Sequence, residues 1–241
     1  MQLPEAPLDH VLRRVDHVWY PGAAAHHILL GQSGAGKSTL IQALLGLCEY
    51  ERVLIFDVKP APDPVWDGPP DDEWRWGRPV QHIKPMFGFS GDKGGGPNGM
   101  WFRILGSPDR TETAKRFGEA LSIIQAEGHV CAALDDVREL TRQLRLAEPI
   151  DSLMNLGRSA GTLAILGCTE LGYVSGRQQG SQVWVGKTSG IQAAKDGAAL
   201  LGKTGKDWYE TTGAVPPHGW IYSEDREGNQ GPVFVPPAAA E

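Results

Sequence analysis

The sequence predicts an α/β protein with a mostly parallel central sheet, helices on both faces and a C-terminal β-hairpin. Two observations lead to this fold class. Short, continuous apolar runs alternate with helical stretches along the chain, and a phosphate-binding loop motif follows the first of these runs. Unbroken apolar runs are typical of parallel strands that are covered on both faces. The length of 241 residues suits one such domain with additions.

The phosphate-binding loop fits the pattern G-x-x-x-x-G-K-[ST] with both flanks correct. An apolar run at residues 28–30 precedes the loop as a predicted strand, and residues 39–47 follow it as a predicted helix. Glycines let the loop wrap a polyphosphate with its N–H groups, and the helix directs its positive end at the anion. The predicted nucleotide-binding residues are Gly31, Gln32, Ser33, Gly34, Ala35, Gly36, Lys37, Ser38 and Thr39. Among them, Lys37 is expected to bind the β- and γ-phosphates of ATP and Ser38 to ligate Mg²⁺.

A second stretch, residues 197–204, satisfies the same pattern without the same context. The residues before it, 191–196, have a helical rather than a strand-like composition, and apolar side chains fill its variable positions. We interpret it as a helix that ends at a glycine cap, with Lys203 in solvent.

The other predicted elements follow in chain order. Predicted strands lie at residues 52–57, 101–104, 129–136, 162–168 and 182–185, and predicted helices at residues 111–127 and 149–160. Residues 219–222 and 232–235 are expected to pair as the hairpin. We therefore expect an N-terminal extension (1–25) with a short helix at 8–15, a nucleotide-binding core (26–215), and a hairpin with a frayed tail (216–241).

An insertion rich in Pro, Gly and Trp occupies residues 60 to about 100. Loops of this length are usually functional or mobile. Its tryptophans, Trp66, Trp74 and Trp76, either stack on nucleic-acid bases or pin the loop to its own domain. Pinning is the more common role for such residues, and it is the interpretation that we favour.

Acidic residues close several predicted strands: Asp57, the pair Asp135 and Asp136, and Glu170 after Thr169. Ligands of parallel sheets bind where the strands end, so we expect these residues to converge on the phosphate loop. Asp135 is the candidate for holding Mg²⁺, and Asp136 for orienting the attacking water. Asp136 is also well placed to cap a following helix, and the two roles are compatible.

Three segments resemble the FtsK/HerA ATPases in order and context: residues 52–59, 133–136 and 156–161. The third, Leu-Gly-Arg-Ser-Ala-Gly, precedes an apolar strand, as in that superfamily. The similarity covers residues 26 to about 187, and the size is similar to the compact genome-packaging ATPases of tailless, membrane-containing viruses. The resemblance implies a RecA-like core, hexameric rings and ATP-driven movement of double-stranded DNA, with capsid or membrane vertex proteins as further partners.

The resemblance also implies roles for individual residues. Lys37 and Ser38 match the nucleotide loop, Asp135 the metal-binding acid and Asp136 the catalytic carboxylate. Arg158 matches an arginine that is supplied to the neighbouring subunit's nucleotide. Two positions depart from the pattern: Asp136 stands where Glu is usual, and Glu170 stands where a polar amide senses the γ-phosphate. A carboxylate there repels phosphate unless it is protonated or paired, so both departures bear on turnover.

Composition and charge limit the other readings. The net charge of -6 counts against a broad basic DNA-binding face, so we expect few DNA contacts, with Lys93 and Arg177 as candidates. Cys48, Cys131 and Cys168 read as reduced residues of an intracellular protein, and no signal peptide or membrane span is evident. The expected location is the host cytoplasm or the virion.

Alternatives to a DNA motor remain at this stage. One is an ATP-binding switch or an assembly or extrusion factor of the filamentous-phage type, and another is a conjugation-type DNA-transfer ATPase. A small-molecule kinase is a further alternative, although residues 60–100 hold few arginines for a kinase lid. DNA-stimulated turnover separates the motor from the switch, and phosphate transfer to a metabolite would reveal a kinase.

Overall fold

The computed structural model describes residues 2–16, 25–58, 66, 75–83, 100–170, 180–224 and 231–237. Within them the chain forms strands β1 (His26–Leu30), β2 (Val53–Asp57), β3 (Arg78–Val80), β4 (Trp101–Leu105), β5 (Cys131–Leu134), β6 (Leu163–Cys168), β7 (Gly180–Val185), β8 (Trp220–Glu224) and β9 (Val233–Val235). They build one sheet in the order β3-β4-β2-β5-β6-β1-β7-β8-β9.

The sheet confirms the predicted fold class. Strands β1 to β7 all pair in parallel, for example Ile28 of β1 beside Leu166 of β6 and beside Val183 of β7. Among the strands of the described residues, only the last two run antiparallel to their neighbours, and they form the predicted hairpin beside β7. The five residues of β1 are all buried, because β1 lies inside the sheet with helices on both faces.

The helices lie on both faces, as expected. They are α1 (Leu8–Asp16), α2 (Lys37–Leu45), α3 (Arg110–Glu127), α4 (Ala147–Leu156), α5 (Gly190–Leu200) and α6 (Lys206–Gly213), with a π-helix at Glu139–Gln143. Side chains from α3, α4 and the π-helix form a core with one face of the sheet, and α5 and α6 cover the same face near β7 and β8. Helices α1 and α2 pack on the opposite face.

The N-terminal segment is joined to the core at both of its described ends. Val11 and Val15 of α1 are buried in the same cluster as Leu44 of α2. The backbone N–H of Ala6 donates to the carbonyl oxygen of Phe234 at 2.9 Å, so the chain start pairs with the hairpin. The short helix predicted at residues 8–15 is confirmed as α1.

The second loop motif is a helix end, as the sequence predicted. Gly202 has a φ of 67° just after α5, and its N–H donates to Ala199 while that of Lys203 donates to Ala198. These two bonds are the Schellman pattern that ends a helix at a glycine. The prediction that Lys203 lies in solvent needs correction: its ammonium lies 5.6 Å from the centroid of the Trp208 ring, and the residue is half-buried.

Most of the insertion falls outside the described residues, as do Trp74, Lys93 and Arg177. Trp66 is 1% exposed and belongs to the α2 face core, against which Trp76 also packs. These two tryptophans therefore pin the insertion to its own domain. In the described part of the chain, no helix combines the length and apolar character needed to cross a membrane.

Candidate nucleotide site

A cavity of about 490 Å³ opens at the carboxyl ends of the parallel strands. The phosphate loop lines one side of it. The strand ends line the other, with Asp57 as the last residue of β2, Asp135 and Asp136 after β5, and Thr169 after β6. The convergence that the sequence predicted is therefore present, with Thr169 rather than Glu170 as the lining residue of the β6 end.

The loop owes its shape to backbone anchors and to two glycines with a positive φ, Gly34 at 77° and Gly36 at 91°. The N–H of Gly31 donates to the carbonyl oxygen of Cys168 at 3.0 Å, and that of Gln32 to the carbonyl oxygen of Lys187 at 2.7 Å. These bonds fix the loop between β6 and the chain after β7. Gly36 then turns the chain into α2 with a φ of 91°, a left-handed conformation that favours glycine. The loop thus leads directly into the amino end of a helix, the arrangement that binds phosphate.

Ser38 and Asp135 lie in contact, although 97 positions separate them in the sequence. The Ser38 hydroxyl donates a hydrogen bond to Oδ2 of Asp135 at 2.7 Å. A hydroxyl and a carboxylate side by side are oxygen ligands that suit Mg²⁺, which takes its remaining ligands from water and phosphate. The two side chains therefore fit the metal-binding pair that the sequence predicted.

Lys37 is folded back on its own loop. Its Nζ donates to the carbonyl oxygens of Gly31 at 2.9 Å and Gln32 at 3.1 Å. Burial lowers the pKa of this ammonium, and the carboxylates of Asp135 and Asp136 act in the opposite direction. The charge of Lys37 is thus partly desolvated beside two acids, where an incoming polyphosphate would meet it.

Asp136 caps the turn that leads into the π-helix. Its Oδ1 accepts a hydrogen bond from the N–H of Glu139 at 3.1 Å, while the residue also lines the cavity. The capping role considered from the sequence is confirmed. A carboxylate has a second oxygen and further lone pairs, so the cap and a water contact are compatible.

Glu170 is paired rather than isolated. Its carboxylate lies 4.0 Å from a guanidinium nitrogen of Arg138, and both side chains are about half exposed. The positive charge of Arg138 partly offsets the repulsion that this carboxylate would exert on phosphate.

Arg158 lies near the amino-terminal ends of the parallel strands, opposite the cavity, in the turn between α4 and β6. It is exposed and close to His26 at the start of β1. Burial lowers the pKa of His26, and the charge of Arg158 adds to this effect. Strand β1 alone spans about 13 Å between its first and last Cα atoms. Arg158 therefore does not reach the cavity of its own chain.

His218 is a cavity residue that the sequence reasoning missed. It precedes β8, has a φ of 60° and lies against Gly36. No motif marks it, and it is far from the loop in sequence. The pair Pro216 and Pro217 before it signals a turn, which is the only sequence feature that draws attention to the position.

The sequence itself matches no protein-family model and no curated protein. The structure is similar to the genome-packaging NTPase B204 from Sulfolobus turreted icosahedral virus 2 in complex with AMPPCP. The TM-score is 0.59 at 12% identity, over 90% of this chain and 99% of that one. The chain has the fold of P-loop ATPases.

Larger proteins contain the same fold. The pCW3 conjugation coupling protein TcpA, solved with ATPγS, matches with a TM-score of 0.51 at 12% identity, over 88% of this chain and 59% of that one. The type VII secretion ATPase EccC of Thermomonospora curvata matches with a TM-score of 0.52 at 14% identity, over 91% of this chain and 24% of that one. These neighbours agree with the resemblance to FtsK/HerA ATPases at the level of fold.

Proposed function

We propose that this protein hydrolyses ATP to move double-stranded DNA, and that its task is to package a viral genome into a capsid. The observation that carries the ATPase proposal is the Ser38–Asp135 hydrogen bond inside a cavity bounded by the phosphate loop. A chance glycine-rich turn would not be expected to place its serine on an acid that closes another strand of the sheet.

Each cavity residue has a role in this proposal. The loop N–H groups and Lys37 bind the phosphates, and Ser38 with Asp135 holds Mg²⁺, which supplies charge neutralisation when bound. Asp136 orients the attacking water through the oxygen that does not cap Glu139. Glu170 stands in the position of the phosphate sensor, and its ion pair with Arg138 links that position to the turn after Asp136.

The DNA-packaging part rests on the neighbours. The chain covers nearly all of the viral packaging NTPase, whereas it corresponds to only part of the coupling and secretion proteins. The near-complete match to the packaging NTPase is the reason that we favour the packaging role. The second candidate is conjugative DNA transfer, or a switch or extrusion factor that binds ATP without moving DNA. The shared fold with TcpA and EccC keeps this second candidate open.

Arg158 is proposed to act on the nucleotide of an adjacent subunit in a homo-oligomeric ring of six subunits. The support is geometric: Arg158 is exposed near the amino-terminal ends of the strands, opposite the cavity of its own chain. Head-to-tail packing of subunits would bring it to the cavity of the adjacent subunit. Leu156, which is 62% exposed on the same turn of chain, offers an apolar contact beside it. There the guanidinium would stabilise charge on the γ-phosphoryl oxygens, an effect of about 10³–10⁵ in rate.

The decisive experiment measures ATP hydrolysis with and without double-stranded DNA. The motor proposal predicts turnover that rises when DNA is added and directional movement of a DNA substrate. An ATP hydrolysis rate that does not change when DNA is added supports the switch or extrusion factor. The absence of hydrolysis in the presence of Mg²⁺ contradicts the ATPase proposal itself.

A mixing experiment tests Arg158. Lys37→Ala and Arg158→Ala should each be inactive alone, because one lacks the loop lysine and the other the arginine given to the neighbour. In mixed rings, some cavities regain both residues, so activity should exceed that of either variant. Normal turnover by Arg158→Ala, or no recovery in verified mixed rings, removes Arg158 from the mechanism.

A further inference from the structure

We propose that His218 binds the nucleotide, by donating a hydrogen bond from its imidazole N–H to the phosphate chain. The inference rests on the proposed binding of ATP in the cavity. It adds a residue from the C-terminal hairpin to a site that is otherwise built from the loop and the parallel strand ends.

The backbone holds His218 in an unusual conformation. The N–H of Gly219 donates to the carbonyl oxygen of Pro216 at 3.1 Å, which closes a four-residue turn with Pro217 second and His218 third. His218 has a φ of 60°. A turn with proline second and a positive φ third favours glycine at the third position. A residue with a large side chain is therefore not what the turn alone would select.

The ring of His218 occupies space that Gly36 leaves open. A Cβ atom at Gly36 would lie 2.7 Å from Nδ1 and 3.4 Å from Cε1 of His218. The imidazole thus lies directly against the loop residue that precedes Lys37. It is exposed and lines the same cavity as Lys37 and Ser38.

The chemistry of the cavity suits an imidazole donor. A neutral imidazole has one N–H donor and a protonated one has two, and phosphate oxygens are charged acceptors. Hydrogen bonds to charged acceptors are about twice as strong as neutral ones. Because the ring is held by a short turn against the loop, little side-chain freedom would remain to be lost on binding.

An alternative is that the His218 ring only packs against Gly36 and does not contact nucleotide. The chain contains a second histidine that serves as a matched control for this alternative. His129 is also exposed, has a φ of 50°, and lies against Gly161, where a Cβ atom would be 2.6 Å from Nδ1. His129 precedes β5 and so lies near the amino-terminal ends of the strands, whereas the nucleotide cavity lies at their carboxyl ends. The two histidines share their backbone conformation and packing but differ in access to the nucleotide.

The experiment compares the wild type with His218→Gly and His129→Gly. Glycine accepts a positive φ, so both variants remove the side chain without backbone strain, and thermal unfolding verifies that each folds. Calorimetry measures the binding of ATPγS and of inorganic tripolyphosphate, which lacks base and ribose. We expect His218→Gly to weaken both ligands roughly tenfold or more, and His129→Gly to weaken neither.

Three results would overturn the inference. One is wild-type affinity of His218→Gly for both ligands. Another is weakened ATPγS with unchanged tripolyphosphate, which would place the contact on the base or ribose. The third is an equal loss in His129→Gly, which would indicate a general packing effect. Failure of the wild-type protein to bind either ligand would be a different result, because it contradicts the proposed function as well.

Discussion

Two adjacent histidines in the central strand predict that the protein loses stability in mild acid. His26 and His27 of β1 are both fully buried. Nδ1 of His26 accepts a hydrogen bond from the N–H of Ala164, and Nδ1 of His27 accepts one from the indole N–H of Trp184. Burial lowers the pKa of His26 from 6.5 to about 4, and that of His27 to about 3. Both rings are therefore neutral in the folded protein at physiological pH.

The sign of the effect follows from proton binding. Between about pH 6.5 and 4, the unfolded chain binds protons at these positions and the folded chain does not, so acid favours unfolding. The stability that depends on these neutral histidines is fully present above pH 6.5. It is lost as the pH falls towards the pKa values of the folded state. At pH 5 each histidine accounts for about 2 kcal/mol, so the pair lowers the free energy of unfolding by about 4 kcal/mol. That is a large fraction of the ~5–15 kcal/mol typical of a domain.

Urea unfolding at a series of pH values from 8 to 5 tests this magnitude. Asparagine keeps an acceptor near the position of Nδ1 but does not titrate, so His26→Asn should lose about half of the pH dependence and the double variant with His27→Asn most of it. His10→Asn on α1 removes an exposed histidine and serves as the control. An unfolding free energy that is equally pH-dependent in the wild type and the double variant would refute the reasoning.

Four further predictions concern the proposed function. Lys37→Ala should abolish hydrolysis and weaken ATP binding, whereas Lys203→Ala, just after α5, should leave both unchanged. Loss of ATP binding in Lys203→Ala alone would show that residues 197–204, and not residues 31–39, form the phosphate-binding loop. Asp136→Asn should keep ATP bound but unhydrolysed at unchanged stability, because Asn caps as well as Asp; normal turnover would place the water-orienting acid elsewhere. Gly36→Ala should destabilise the protein by roughly 1–3 kcal/mol and abolish nucleotide binding, because its φ is 91° and its Cβ would meet His218, and wild-type affinity in a calorimetric titration would contradict this. DNA affinity should fall with salt at a shallow slope of about -0.9 for each phosphate contacted, and a slope that corresponds to ~8 contacts would contradict the expectation of few contacts.

The sequence predicted those parts of the molecule that depend on local patterns. Unbroken apolar runs located the parallel strands, and the motif located the loop with Ser38. The acid at the end of an apolar run located Asp135. The sequence reasoning missed β3, because its three residues are half-buried and show no apolar run. It also missed α6, whose threonines and final glycine favour turns over helix, although the buried Thr212 packs there and donates to the carbonyl oxygen of Ala194.

His218 could not be predicted for a different reason. Its position in the cavity depends on the antiparallel placement of β8 beside β7, which carries the turn of residues 216–219 back to the phosphate loop. Nothing in the local sequence encodes that approach. Gly36 appears in the motif as a residue for phosphate contact, and only the structure shows that its missing side chain also makes room for the imidazole.

Lys37 can bind a phosphate without leaving the contacts that it makes in this structure. Its ammonium now satisfies two loop carbonyl groups, those of Gly31 and Gln32. Both belong to residues whose own N–H groups anchor the loop to the neighbouring chain segments. An ammonium has three N–H donors, so the third can donate to a phosphate oxygen while both carbonyl bonds remain in place. The loop frame itself need not move, because its anchors are backbone bonds to Cys168 and Lys187. Nucleotide can therefore bind to a loop and a cation that backbone groups already hold in place.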